Sequence, residues 1–230
     1  MNAFARILSI LGGTLLALLS TVHAAEKKVL FLGGPVQQAI VKAAAKELQD
    51  QVQIKSAGFT ANDSGSALAN LDKLIGDEKW DLIYFNFGIG DLFYKDPKTR
   101  EIRAMSKNSG GVRVSTPEQY EKNLDLLVQR LKKTGARLLW GSTTPLVTVD
   151  FFPSFKGNLF EANSEVGYNE IASKVMKRHG VSVVDLHAYV MKYFKKDEKH
   201  PPYSKYDQEM ARKGHPLHEP LITAIMASLR

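Results

Sequence analysis

Several polar residues of this chain stand directly after apolar runs. Asn86 ends one such run, Asp91 follows it shortly, and Thr143 comes after another run. Because α/β proteins bind ligands beyond the carboxyl ends of their strands, these side chains are candidates for a binding site. Asn and Asp also bond to backbone groups of the following loop, and we favour that structural role for Asn86 and Asp91.

Two histidines near the C-terminus, His215 and His218, are candidates for a base, because a neutral imidazole accepts a proton near neutral pH. Their spacing could also suggest a metal pair. Pro216 makes regular helical geometry uncertain, however, and no third ligand is evident, so we predict no metal site. The sequence contains no Cys, which excludes thiolate nucleophiles and Cys-ligated zinc. We also expect no cofactor.

The loop after the first predicted strand lacks a nucleophile. In α/β chains this turn often carries a phosphate-binding loop or a catalytic serine. Here it reads Gly33-Gly34-Pro35-Val36, with no hydroxyl, thiol or carboxylate. Pro35 also has no backbone N–H to donate. The sequence therefore predicts that this loop forms no covalent intermediate.

The N-terminus has the pattern of a cleaved signal peptide over residues 1–24. Arg6 supplies a positive charge, Ile7–Val22 is apolar, and Val22-His23-Ala24 is a small-x-small cleavage pattern. The apolar run is short and contains two glycines, so a membrane anchor is the less favoured interpretation. We expect a mature protein of residues 25–230, a single domain located in the periplasm or outside the cell, with no stable membrane anchor.

The formal net charge of +7 could favour an anionic partner. The Lys and Arg residues are scattered along the chain, however, and no nucleic-acid-binding motif is present. We interpret them as a solvated basic surface.

Strand and helix signals alternate along the mature chain. Short apolar runs typical of a buried parallel sheet occur at Val29–Leu32, Val52–Ser56, Leu82–Phe85, Arg137–Trp140 and Val181–Val184. The second is the most polar, which favours an edge position. Amphipathic helices between the runs predict an α/β fold with three layers, a doubly wound parallel sheet of five strands with helices on both faces.

Two of the predicted helices have clear sequence signals. Thr116-Pro117-Glu118-Gln119 combines an N-cap, a proline at the first helical position and the Gln of a capping box. A later helix is predicted over about Ser164–His179, with Val166 on its apolar face. Two long segments between elements, Phe87–Ser115 and Thr143–Asn163, both follow strand ends, where long excursions are commonly functional.

Several segments together resemble the SGNH (GDSL-type) hydrolase family across nearly the whole mature length, with the closest likeness to exported bacterial members. The matching segments are Trp80–Leu92, Tyr120–Leu124, Thr143–Pro145, Tyr168–Ala172 and Val184–Leu186. The resemblance implies the strand order 2-1-3-4-5. It also implies ester hydrolysis by a Ser after the first strand, a His base and an Asp three residues before that His. The family's oxyanion hole comes from the Ser N–H, a Gly N–H and an Asn side chain.

This sequence departs from the family's first and third motifs. The Gly-Asp-Ser-Leu motif falls on Gly33–Val36, which places Pro35 in the position of the nucleophile. The Gly-x-Asn-Asp motif falls on Gly88–Asp91, which places Gly90 in the position of the oxyanion Asn. The second motif, with its oxyanion Gly, falls somewhere within Gly58–Gly65.

The last motif also lacks its acid. If His215 is the family's base, Arg212 occupies the position of the Asp. If His218 is the base, His215 occupies that position instead. The sequence leaves this choice open, with His215 preferred.

Two functions of different classes follow from the resemblance. The favoured one is a degenerate, non-catalytic relative of ester and acyl hydrolases that keeps the cleft for a glycan or acyl ligand. The alternative is an active ester hydrolase with His215 as base and either an activated water or a displaced nucleophile such as Ser64, Ser66 or Ser142. The cleft candidates are Gly34, Pro35, Asn86, Gly88, Gly90, Asp91, Thr143 and His218.

The signal-peptide interpretation predicts a mature N-terminus at Ala25, because signal peptidase recognises the small residues before the cleaved bond. N-terminal sequencing of the protein recovered from the periplasm or culture medium measures this directly. An intact Met1 in a membrane fraction would show that the leader is an anchor.

Overall fold

The computed structural model describes residues 26–57, 62–146, 160–161, 163–194 and 217–230. The strands in these ranges are β1 (Lys27–Gly33), β2 (Val52–Ser56), β3 (Leu82–Asn86), β4 (Tyr94–Lys95), β5 (Val112–Arg113), β6 (Arg137–Gly141) and β7 (Ser182–Val184). The α-helices are α1 (Pro35–Leu48), α2 (Ser64–Ala69), α3 (Leu71–Ile75), α4 (Ile89–Leu92), α5 (Pro117–Lys132), α6 (Ser164–His179), α7 (Leu186–Phe194) and α8 (His218–Leu229).

Five of the strands form one parallel sheet in the order β2-β1-β3-β6-β7. This is the predicted order 2-1-3-4-5 once the two short strands β4 and β5 are set aside. The doubly wound α/β fold is therefore confirmed. The polar strand β2 lies at an edge, as its composition predicts, because an edge strand exposes part of its surface to water.

Helices cover both faces of the sheet, and alternating strand residues contribute to the two sides. Leu30, Leu32, Ile83 and Phe85 belong to the core under α2, α3, α5 and α6. Val29, Phe31, Leu82 and Tyr84 belong to the core under α1, α7 and α8. The strict alternation follows from the two-residue period of a strand, and it explains why the central strands are apolar throughout.

The helix signals of the sequence are largely reproduced, with two differences. Thr116 Oγ1 accepts a hydrogen bond from the backbone N of Gln119 at 3.2 Å, as an N-cap should. The Gln119 side chain does not complete the capping box; its Nε2 donates to Asn123 Oδ1 at 2.7 Å. The placement of Val166 on the buried face of α6 was wrong. Its side chain is exposed, and Tyr168, Ala172, Val175 and Met176 are buried instead.

The long segment Phe87–Ser115 is folded rather than irregular. It contains α4, a 3₁₀ turn at Lys107–Ser109 and the antiparallel pair β4–β5. Its return is fixed at Ser115, whose backbone N donates to the carbonyl of Asp91 at 3.2 Å. The segment thus leaves and rejoins the carboxyl edge of the sheet at the same place.

The predicted signal peptide, residues 1–24, lies outside the described residues, so the structure does not bear on it. In the ranges that the structure does describe, no helix has the length and apolar character needed to cross a membrane.

Candidate functional site

The carboxyl end of β1 offers only backbone and proline to a ligand. Gly34 is the N-cap of α1 in extended conformation (φ −84°, ψ 178°), and no side chain caps this helix end. Pro35 is the first residue of α1 and is exposed. Position 35 therefore has neither a side-chain hydroxyl nor a backbone N–H.

Asn86 joins the ends of two neighbouring strands. Its side chain is buried, and Nδ2 donates to the carbonyl of Gly141 at 2.7 Å and to Thr143 Oγ1 at 3.3 Å. The Asn86 amide thus bonds to the chain leaving β6 rather than to the loop that follows Asn86 itself.

Thr143 is fully buried and held from two sides. Its backbone N donates to Asn169 Oδ1 at 2.8 Å, and Asn169 Nδ2 donates back to the Thr143 carbonyl at 2.8 Å. The Thr143 hydroxyl also lies against Gly88, where an added Cβ would be 2.2 Å from Oγ1. Gly88 is needed here because any side chain would collide with Thr143.

Gly90 is equally constrained. A Cβ on Gly90 would lie 2.1 Å from the backbone carbonyl O of Asn62 and 2.9 Å from the backbone N of Asp63. The loop before α2 therefore occupies the space in which a side chain at position 90 would begin. The site cannot accept an amide at this position without moving backbone.

Asp91 holds three segments of chain together. Its side chain is fully buried, and the backbone N of Ser64 donates to Oδ1 at 3.1 Å and to Oδ2 at 3.0 Å. Ser64 Oγ donates to Oδ1 at 2.5 Å and accepts from Asn123 Nδ2 at 2.9 Å. Burial raises the pKa of Asp91 to about 7, although hydrogen bonds from Ser115 and Ser64 act in the opposite direction.

The three hydroxyls considered as displaced nucleophiles have structural partners. Ser64 Oγ is bonded to Asp91, as described. Ser66 Oγ donates to Asp63 Oδ2 at 2.7 Å within a capping box that starts α2, so the N-cap is Asp63 and not a serine. Ser142 Oγ donates to Asp185 Oδ1 at 2.9 Å and accepts from the backbone N of His187 at 2.8 Å.

A second polar group, of which only Ser142 was predicted from the sequence, lies at the ends of β6 and β7. His187 is the second residue of α7, and its Nε2 lies 3.4 Å from Oε1 of the fully buried Glu165 in the first turn of α6. Gln37 links this group to the end of β1: Nε2 donates to the Ser142 carbonyl at 3.4 Å, and Oε1 accepts from Tyr84 OH at 2.5 Å. The only sequence signal was the position of each residue just after a strand or at a helix start.

The two candidate bases differ in what the structure records. His215 lies outside the described residues. His218 begins α8, and its Nε2 is 2.6 Å from Oε1 of Glu47. Glu47 is in the last turn of α1 whereas Pro35 begins that helix, a separation of about 18 Å at about 1.5 Å per residue. The structure therefore does not bring His218 to Pro35.

The remaining cleft candidates, Asn86, Gly88, Gly90, Asp91 and Thr143, lie together at the ends of β3 and β6. A metal ion would need several ligands there. Over the part of the chain that the structure describes, no three His, Asp or Glu side chains come close enough to hold one.

Comparison with known proteins gives a family and a fold. The sequence profile of the GDSL-like lipase/acylhydrolase family matches residues 17–218. No curated protein matches the sequence. Among solved structures, the fold is similar to the lipase/acylhydrolase from Enterococcus faecalis, with a TM-score of 0.61 and 15% identity over 89% of this chain and 97% of that one.

Two further solved structures share the fold. One is an α/β-hydrolase enzyme from the metagenome of Lake Arreo, Spain, with a TM-score of 0.61 and 19% identity over 90% of this chain and 96% of that one. The other is an acetyl xylan esterase, with a TM-score of 0.56 and 16% identity over 88% of this chain and 97% of that one. At these identities the likeness establishes the fold and not the activity.

The contact between Gly90 and the Asn62 backbone predicts that Gly90→Ala is strongly destabilising, by about 1–3 kcal/mol, because a buried methyl must displace backbone. Gly34→Ala is the matched control, since no atom lies within 4 Å of its Cβ position and its φ is negative. Urea denaturation compares the two variants with the wild type. Equal unfolding free energies for both variants would show that the loop before α2 does not lie against Gly90.

The raised pKa of Asp91 predicts a stability that falls as pH rises. The folded state holds a proton on Asp91 between the usual pKa of 3.8 and about 7, where the unfolded chain has released it. Relative to Asp91→Asn, the wild type should therefore lose about 1.4 kcal/mol of unfolding free energy per pH unit across that range and no more above it. Urea denaturation at a series of pH values measures both proteins. Parallel curves would show that Asp91 is ionised throughout.

Proposed function

Since this chain belongs to the GDSL-like lipase/acylhydrolase family, we propose that it is a non-catalytic member that keeps the family's cleft as a binding site for a glycan or acyl ligand. The observation that carries the proposal is Pro35. The family's acyl-enzyme needs a hydroxyl after the first strand, and proline supplies neither that hydroxyl nor the N–H that would bond the oxyanion.

The surroundings of Pro35 support the same conclusion. The family's oxyanion Asn is replaced by Gly90, and the Asn62 backbone fills the space of that side chain. A single substitution at position 35 could be compensated by a neighbouring group. Loss of the nucleophile together with an oxyanion donor removes both the covalent step and the stabilisation of its transition state.

The occupied hydroxyls also argue against a displaced nucleophile. Ser64 donates to the buried Asp91 and Ser142 to the exposed Asp185, and each hydroxyl also accepts a hydrogen bond. Ser66 donates to Asp63 in the capping box of α2. A nucleophilic serine needs its hydroxyl proton directed to a base that can carry it away. In these three residues, the hydroxyl instead fixes a turn or helix start.

The proposal includes export. The apolar run over Ile7–Val22 and the cleavage pattern ending at Ala24 support a mature protein that acts in the periplasm or outside the cell. A binding role there fits a ligand built from the sugars or acyl chains of the cell envelope.

A non-catalytic cleft predicts that purified residues 25–230 hydrolyse p-nitrophenyl acetate and p-nitrophenyl butyrate no faster than the His215→Ala variant. An enzyme that relied on His215 as its base would instead lose several orders of magnitude of rate. Release of p-nitrophenolate, followed by absorbance, gives the ratio directly.

A variant that restores the family's first motif provides a second test of the same proposal. The double variant Gly34→Asp, Pro35→Ser restores the family's first motif, and we expect it to stay inactive because Gly90 still supplies no amide and Arg212 no carboxylate.

Clear wild-type turnover that disappears on His215→Ala or His218→Ala would overturn the proposal in favour of an active hydrolase. Ser64, Ser66 and Ser142 would then be the next residues to substitute.

A further inference from the structure

Glu165 and His187 form a carboxylate–imidazole pair that lies beside Ser142 and apart from Pro35. Glu165 is one helical turn before Asn169 on α6, and Asn169 holds the backbone of Thr143. The backbone of His187 bonds to Ser142, and its ring faces Glu165. The pair therefore stands above the chain that leaves β6, at the same edge of the sheet as the cleft.

Burying the Glu165 carboxylate costs desolvation free energy that its hydrogen bonds within the protein do not offset. Its side chain has no exposed area, Oε1 makes one long contact of 3.4 Å, and Oε2 has no hydrogen-bond partner. A buried carboxylate oxygen without a partner is strongly unfavourable. Among the described residues, one other buried side-chain atom lacks a partner, Trp140 Nε1, and it lies in the apolar core rather than at the sheet edge.

The contacts of His187 direct its second ring nitrogen outward. Nε2 faces Glu165, and in the described part of the chain Nδ1 has no protein partner and is not a buried atom. The side chain is 20% exposed. A carboxylate at Nε2 favours the tautomer that carries its proton there, which leaves Nδ1 as a hydrogen-bond acceptor facing solvent.

The chemistry of the pair selects one class of ligand. An acyl chain has no donor for Nδ1, and an anionic ligand would meet the carboxylates of Glu165 and Asp185 nearby. A cation would find too few ligands among the described residues. A neutral molecule rich in hydroxyl groups fits an acceptor of this kind.

We propose that His187 is the ligand-contacting residue of a saccharide subsite at the ends of β6 and β7, and that Glu165 is its positioning residue. Nδ1 accepts a hydrogen bond from a sugar hydroxyl, and Glu165 holds the ring in the required tautomer. This inference rests on the proposed binding function and selects a glycan over an acyl ligand. Gln37, two residues after Pro35, donates to the Ser142 carbonyl at 3.4 Å and so links the start of α1 to this subsite.

The test is NMR of the imidazole ¹⁵N and ¹H signals of the mature protein, titrated with xylotriose and with triacetylchitotriose. In the free wild type we expect His187 to be protonated at Nε2 and not at Nδ1. At least one saccharide should shift the His187 signals. His187→Phe and Glu165→Leu should each weaken binding about tenfold, the equivalent of about one hydrogen bond.

Glu165→Leu separates positioning from a structural role. Oε2 of Glu165 has no partner and Oε1 makes only the long contact with His187, so replacing this buried carboxylate by an apolar side chain of similar size should leave the fold at least as stable. Loss of a carboxylate with a structural role would instead lower the free energy of unfolding. We therefore expect weaker binding and a changed His187 tautomer without loss of stability to urea. Asp125→Leu is the matched control, because Asp125 pairs with His179 at the opposite end of α6 and should leave binding unchanged.

Three results would overturn the inference. Equal saccharide affinity in all variants would place the saccharide elsewhere while leaving the binding function intact. Binding of dodecanoate but of neither saccharide would identify an acyl ligand, again with the binding function intact. If Nδ1 of His187 carries the proton in the wild type, this nitrogen cannot accept a hydrogen bond from a sugar hydroxyl. That result is obtained on the wild type and does not depend on whether the variants fold. Ester turnover that depends on His215 would be a failure of the proposed function itself.

Discussion

Buried polar groups at the carboxyl edge of the parallel sheet must find partners within the protein, and this requirement determines what the site can do. The strands β1, β3, β6 and β7 all end there. Asn86 satisfies the Gly141 carbonyl, Asn169 satisfies both backbone groups of Thr143, and Asp91 satisfies the backbone N of Ser64. Asn86, Asn169 and Asp91 are therefore engaged in holding neighbouring segments of chain together.

The glycine at position 90 and the close approach of the loop before α2 are physically linked. Without a Cβ at position 90, the Asn62 carbonyl can lie where a side chain would begin, and Asp91 then reaches Ser64 at the start of α2. Gly88 allows Thr143 to approach in the same way. The close packing around α4 thus depends on a glycine at both positions.

The fold could be predicted from the sequence because its signals are local. Apolar runs at the positions of β1, β3 and β6 and the edge character of β2 follow from side-chain burial, whereas the strand order came from the family resemblance. The site could be predicted only in part, since its decisive contacts join residues far apart in sequence. Nothing near Gly90 reveals that Asn62 abuts it. The burial of Glu165 could not be predicted either, because a Glu in the first turn of a helix is normally solvated and favoured there by the helix dipole.

Reaction with a serine-directed fluorophosphonate shows whether any hydroxyl of the proposed binding cleft is activated. Intact-mass measurement of the mature protein after prolonged incubation reports a covalent adduct whatever the natural substrate is. The account predicts an unmodified mass, because Pro35 cannot react and Ser64, Ser66 and Ser142 donate their protons to carboxylates. A stoichiometric adduct mapped to any one of these serines, and abolished by His215→Ala, would contradict it.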